Sequence, residues 1–202
     1  MQVVQRNIEL SLLMKKDGTL IFPSDFRGFG SGAAIKKALS RLAQQGTLKR
    51  AAHGIYYMPK IDPLLGELHP GAEEVATMLA KKEKIRIRPA GAYALNKLGL
   101  STQVPTRLVY ITDGPPRQLK RGKLEIKFKA TSHKKLATIG QISALVIQAL
   151  EELDVNHIDN DTAARIKKLL LTEEPKKLKH DLALAPGRVY DYIVKLLNEK
   201  EV

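Results

Sequence analysis

Residues 30–59 read GSGAAIKKALSRLAQQGTLKRAAHGIYYMP, a helix-like segment followed by two short strand-like segments. Ser31 has a side chain that caps helix N-termini, and Gly46 supplies the left-handed conformation that ends helices. A helix is therefore predicted from about Gly32 to Gln45. β-Prone residues then flank Gly54, which permits a tight turn, so the sequence predicts a β-hairpin directly after the helix.

The predicted helix has two different faces. Its apolar residues recur at helical spacing and are expected to pack inward: Ile35, Ala38, Leu39 and Leu42. The opposite face carries small, hydrogen-bonding and cationic side chains and no acid. Such a face suits the DNA major groove, where backbones come close and base edges offer donors and acceptors. An ordinary solvated helix face is the alternative explanation.

The residues before this stretch complete a recognisable order of elements. Residues 2–16 predict an amphipathic helix, residues 19–22 a short strand, and residues 23–26 one helical turn. Helix, strand, short helix, basic helix and hairpin is the order of a winged helix-turn-helix, with the hairpin as the wing. Lys49 and Arg50 are then expected beside the phosphate backbone. The residues predicted to contact DNA are Ser31, Ala33, Lys36, Lys37, Ser40, Arg41, Gln44, Lys49, Arg50 and His53.

The rest of the chain predicts a second, larger domain. Residues 61–71 are rich in turn-forming residues and read as a linker between a DNA-binding domain, residues 1–60, and a second domain, residues 72–202. Alternating and buried-type apolar patterns predict a small mixed sheet, and the last 60 residues predict a helical tail. The predicted fold class is therefore α+β: an N-terminal winged helix-turn-helix followed by an α+β domain with a helical C-terminal tail.

Composition favours a polyanionic partner. The formal net charge is +13, and residues 1–60 hold ten Lys/Arg against three acids. Each phosphate neutralised by a cation releases counterions, so this placement favours nucleic acid. There is no cysteine, no stretch long enough to span a membrane and no secretory signal pattern, so a cytoplasmic protein is expected.

Two segments resemble the AbiEi-type antitoxins, the transcription-regulating halves of type IV toxin–antitoxin pairs in abortive phage defence. They are residues 30–59, with the Gly-Ile-Tyr-Tyr-x-Pro exit, and residues 91–112, where a helix ending in Leu-Gly-Leu precedes a proline and a strand. The resemblance covers roughly residues 1–130. It implies autorepression at inverted-repeat operators in double-stranded DNA. It also implies opposition to a nucleotidyltransferase-like toxin without a stable complex, with antitoxin activity in the second domain.

Catalytic patterns are weak, and no enzyme activity, cofactor or metal site is predicted. The five histidines lie far apart, and no phosphate loop or dinucleotide fingerprint occurs. The best enzymatic alternative is a metal-dependent nuclease in the second domain, with Asp113 before Glu125-Ile126-Lys127. A further alternative is a protein-interaction adaptor built on a winged-helix scaffold.

A second basic surface is also a candidate. Its partner could be phosphate groups of DNA or RNA, or the acidic surface of a toxin, and a solvated basic loop is the plainer explanation. Its residues are Arg86, Arg88, Arg117, Lys120, Arg121 and Lys123.

Overall fold

The computed structural model describes residues 2–198, apart from the side chains of Gln2, Arg121 and Leu124. It is an α+β structure that divides into two compact units. The first unit extends through Leu79 and includes Leu119–Leu124, and the second comprises Ala80–Gln118 and the residues from Glu125 onward.

The first unit begins with a helix, a three-stranded sheet and a second helix. A 3-10 turn, Pro23–Phe26, precedes the second helix. The elements are α1 (Gln2–Leu12), β1 (Leu20–Ile21), α2 (Gly32–Gln44), β2 (Lys49–Ala52), β3 (Ile55–Tyr57), β4 (Lys60–Asp62), β5 (Gly66–Leu68) and α3 (Ala72–Glu83), the last of which runs into the second unit.

The three-stranded sheet has the order β1-β3-β2, and both pairings are antiparallel. The β2–β3 turn is tight because Gly54 adopts a φ of +71°. Ile8 and Leu12 of α1 pack with Leu39 and Leu42 of α2 in one fully buried core, which the sheet and the 3-10 turn complete. The predicted helix, strand, helical turn, helix and hairpin are therefore confirmed in this order, and α1 is shorter than predicted.

Residues 61–71, predicted as a linker, contain a second hairpin. Strands β4 and β5 pair antiparallel with Asp62 opposite Gly66. Turn-forming residues such as Asp62, Pro63 and Gly66 are equally typical of linkers and of hairpin turns, so the sequence does not separate the two. The domain boundaries themselves remain a prediction.

The second unit contains helices and most of a four-stranded sheet, of which residues 119–121 and 124 belong to the first unit. The strand order is β6-β7-β9-β8, with β6 antiparallel and β9 parallel to β7. The elements are β6 (Ile87–Pro89), α4 (Ala92–Lys97), β7 (Leu108–Thr112), β8 (Arg117–Arg121), β9 (Leu124–Ala130), α5 (His133–Leu136), α6 (Gln141–Glu152), α7 (Asn160–Leu171), α8 (Pro175–Leu182) and α9 (Gly187–Asn198). The mixed sheet and the helical tail agree with the sequence prediction; β8 lies where a basic loop was expected.

A buried carboxylate closes the N-terminus of α6. Asp181 is fully buried and accepts hydrogen bonds from Ser143 Oγ at 2.6 Å and from the amides of Ile139 and Gly140 at 2.8 and 2.9 Å. Burial raises the pKa of Asp181, but these hydrogen bonds outweigh it and hold the pKa below its ordinary value. A Cβ on Gly140 would lie 2.1 Å from Ser143 Oγ, so this close approach requires glycine.

Candidate nucleic-acid interface

The sequence of α2 sets where the helix begins and ends. Ser31 Oγ accepts a hydrogen bond from the Ala34 amide at 3.3 Å, which satisfies one of the free donors of the first turn. Gly46 follows the helix with a φ of +84°. All four residues predicted to pack inward are buried, which leaves one face of α2 open to solvent.

The open face of α2 carries the cations that the sequence placed there. Lys36 and Lys37 are exposed, and Arg41 is half-buried. Across residues 2–198, none of these three has an ion-pair or hydrogen-bond partner outside the helix backbone. Ala33 and Gln44 are also exposed, and the helix contains no acid. This face therefore offers positive charge that no side chain of the described chain neutralises.

Arg50 connects the hairpin to α2. Its Nη2 donates to Ser40 Oγ at 3.3 Å and to the Tyr56 hydroxyl at 3.1 Å, and its guanidinium lies 5.3 Å from the centre of the Tyr56 ring. Tyr56 is buried and stands directly opposite Arg50 in the β2–β3 register. Arg50 is thus held from both sides, and it orients the one hydroxyl on the outer face of α2, that of Ser40.

Lys49 also has a partner inside the first unit. Its Nζ lies 3.4 Å from Glu67 Oε2 on β5. The Tyr57 hydroxyl donates to Glu67 Oε1 at 3.1 Å and contacts His69 Nδ1 at 2.6 Å. Burial raises the pKa of Glu67, but the hydrogen bonds from Tyr57 and Lys49 outweigh it and lower that pKa.

Lys49 and Arg50 each have a partner within the protein, and their expected contacts with phosphate groups stay a prediction. Both cations are engaged within the protein, one by Glu67 and the other by Ser40 and Tyr56. Sequence reasoning missed Glu67 and Tyr56. The hairpin centred on Gly54 could have indicated Tyr56, because a tight turn sets the cross-strand register; nothing in the sequence pairs Lys49 with Glu67. His53 is exposed in the β2–β3 turn, as expected.

The residues of the candidate second basic surface fall in both units, and their grouping into one surface stays a prediction. Arg86 pairs with Asp113 at 2.8 Å, Arg88 donates to the Thr138 carbonyl, and Arg117 pairs with Glu83 and lies over the Phe128 ring. These arginines belong to the second unit, whereas Lys120 and Lys123 are exposed in the first, and the side chain of Arg121 lies outside the described residues. Three of the six cations thus have internal structural partners. Two more cations lie on β9, the exposed Lys129 and the half-buried Lys127.

The two carboxylates of the nuclease alternative lie apart. In the β7–β9 register Leu108 pairs with Ile126 and Thr112 with Ala130, so Asp113 and Glu125 occupy opposite ends of the strand pair. Six residues of strand separate them, about 20 Å. Hydrogen bonds from the Arg86 side chain and amide hold the pKa of Asp113 low. Glu125 in turn accepts from Arg107 at 2.5 Å and from Gln118 at 2.8 Å.

Within residues 2–198, no three histidine or acidic side chains are grouped so that they could hold a metal ion. In the same range, no helix is both long and apolar enough to cross a bilayer.

Comparisons with known proteins give a family and distant structural similarity. A family model described as "Family of unknown function (DUF6088)" matches residues 7–178. No curated protein matches the sequence. Among solved structures, the crystal structure of the RV2827C protein from Mycobacterium tuberculosis is 16% identical with a TM-score of 0.44, and the alignment covers 100% of this chain and 83% of that chain.

Proposed function

We propose that this chain, which belongs to the DUF6088 family, is a sequence-specific DNA-binding transcriptional regulator acting in the cytoplasm. Its first unit serves as a winged helix-turn-helix, with α2 in the major groove of double-stranded DNA. The observation that carries this proposal is the open face of α2, which has three cations without internal partners and no acid. The strand order β1-β3-β2 supports it, because in a winged helix the strand after the first helix pairs with the last strand of the hairpin.

Within this function the residues have different tasks. Lys36, Lys37 and Arg41 contact phosphates or base edges, because they are the cations that can meet DNA without breaking an internal bond. Ser40 presents a hydroxyl whose orientation Arg50 sets. The hairpin then acts first as a support for α2, and its turn, with His53, is the part that reaches the adjacent backbone.

The proposal includes autorepression and an antitoxin role. Both rest on the resemblance of residues 30–59 and 91–112 to AbiEi-type antitoxins. The operator is an inverted repeat upstream of the protein's own gene, and the opposed toxin is nucleotidyltransferase-like. We assign the antitoxin activity to the second unit, because the first unit has the features of a DNA binder.

The DNA-binding proposal is tested by selecting binding sequences from random duplex DNA and measuring affinity over a salt series. Lys37→Ala is expected to reduce the slope of log K against log salt by about one unit, since one phosphate contact is lost. Lys176→Ala, on an exposed face of α8, is the matched control and should leave the slope unchanged. Failure to enrich any sequence, with equal binding by both variants, would favour the adaptor alternative.

A further inference from the structure

The β4–β5 hairpin forms an ordered finger with an apolar tip. Ile61, Leu64 and Leu65 are 78%, 94% and 77% exposed. The tip is structured by Asp62, whose Oδ1 accepts hydrogen bonds from the amides of Leu64 and Leu65, both at 2.9 Å. Large aliphatic side chains that an ordered turn keeps exposed to solvent indicate a surface that another molecule covers.

A second apolar surface lies on α1. Val3 and Leu10 stand seven residues apart on its outer face and are 69% and 57% exposed, and the turn after the helix adds Leu13 and Met14 at 79% and 88%. This outer stripe differs from the face that packs inward through Ile8 and Leu12. The first unit therefore carries two apolar surfaces, the finger and the stripe.

The bases of these two surfaces adjoin. The turn that follows α1 runs beside the start of the finger: the Gly18 amide donates to the Met58 carbonyl at 3.0 Å, and a Cβ on Gly18 would lie 3.6 Å from the Lys60 side chain. A single partner can thus meet both surfaces at once.

We propose that the occupant is a second copy of this chain, with the finger of each copy docked on the α1 stripe of the other around a two-fold axis. Such an interface is self-complementary, because each copy supplies one projecting finger and one receiving stripe. Area supports this choice. A fully buried aliphatic side chain removes roughly 100 Å² from water, and the seven side chains are between 57% and 94% exposed before docking. Covering them therefore removes on the order of 500 Å² per copy and about 1,000 Å² for the pair. One finger alone is too small for a stable contact, whereas the reciprocal exchange reaches the roughly 1,000 Å² at which specific interfaces begin. This inference does not depend on DNA binding.

Sedimentation equilibrium of the full chain at about 10 μM tests the proposal. The wild type is expected to be a dimer, and Leu64→Ser/Leu65→Ser is expected to sediment as a monomer with an unchanged circular dichroism spectrum. Leu171→Ser, at a leucine 65% exposed on α7 of the second unit, is the control and should remain dimeric. A monomeric wild type, or a dimer that persists in the double variant, would overturn the proposal.

Cross-linking then tests the geometry, because the chain contains no cysteine of its own. A mixture of Leu64→Cys and Met14→Cys chains should form a disulfide-linked heterodimer on mild oxidation, since finger meets stripe. Neither variant alone should cross-link to itself at a comparable rate. Efficient self-linkage of Leu64→Cys without heterodimer formation would mean that finger meets finger, and the reciprocal arrangement would be wrong.

Discussion

Replacing Arg50 separates a supporting role from a phosphate contact. Arg50→Lys keeps the positive charge, but its ammonium cannot reach Ser40 and Tyr56 together, so at least one of the two hydrogen bonds is lost along with the guanidinium–ring contact. Each such bond to a neutral hydroxyl contributes about 1 kcal/mol, and the guanidinium–ring contact adds about 0.5 kcal/mol. We therefore expect the free energy of unfolding of the first unit to fall by about 1.5 kcal/mol, which is one hydrogen bond plus the ring contact.

Urea unfolding followed by circular dichroism measures this change. Arg41→Lys is the matched control, since Arg41 makes no side-chain bond within the described residues; it should change stability by less than about 0.5 kcal/mol. A double-mutant cycle of Ser40→Ala with Arg50→Lys should give a coupling of about 0.5–1 kcal/mol, because the two share one bond.

The DNA-binding readout decides between the roles. Arg50→Met removes the charge, so a phosphate contact at this position would lower the salt slope by about one unit, as is expected for Lys37→Met. A support for α2 instead lowers affinity without changing the slope. Unchanged stability in Arg50→Lys together with a reduced slope in Arg50→Met would refute the supporting role.

Three further predictions concern Asp181 in the second unit, the Lys49–Glu67 pair and the separate roles of the two units. Asp181→Asn should destabilise the second unit by about 3–5 kcal/mol at pH 7, because the amide cannot accept the bonds that Oδ2 takes, whereas Asp191→Asn on the exposed side of α9 should have little effect in the same unfolding assay. Since the pKa of Asp181 is lowered in the folded state, its contribution should be present above the ordinary carboxyl pKa of about 4 and be lost as pH falls below it; equal wild-type and Asp181→Asn stabilities at pH 7 would contradict this. Glu67→Gln should release Lys49 and steepen the salt slope of DNA binding by up to about one unit, and an unchanged slope would mean that Lys49 stays away from phosphate. A fragment of residues 1–60 should bind operator DNA more weakly than the full chain and fail to rescue cells from the co-expressed toxin; full rescue would make repression the whole antitoxin mechanism.

Local signals explain why the first unit was largely predictable. The cap at Ser31, the stop at Gly46 and the turn at Gly54 each act within a few residues of chain, so the bounds of α2 and the hairpin follow from sequence alone. Strands β4 and β5 have only three residues each, which is too short for an alternating pattern of apolar and polar side chains to be detected. The sequence therefore predicts a linker where the structure has the finger. Strand β8 was missed because its charged sequence forms a strand only by pairing with β9.

Contacts between distant residues explain the rest. Lys49 meets Glu67 only because Glu67 lies on the second strand of the β4–β5 hairpin, and Asp181 meets Gly140 across 41 residues of chain. Charge patterns in a sequence show which cations exist but not which are already paired. The nuclease motif shows the same limit, since Asp113 and Glu125 are close in sequence terms yet occupy opposite ends of a parallel strand pair.

The pairing of cations within the first unit suggests which elements would provide affinity and which would provide sequence specificity in the proposed DNA complex. Glu67 and Tyr56 engage the two hairpin cations, so in the proposed complex the hairpin contributes rigidity more than charge, and the cations without internal partners are those of α2. On that helix the cations are proposed to contact phosphates or base edges, whereas the Ser40 hydroxyl is a short group that discriminates between bases only when its orientation is fixed. Arg50 fixes it from the hairpin side. The proposed reading of DNA sequence therefore depends on a contact between hairpin and helix, and a substitution in the hairpin that never touches DNA should still relax base preference.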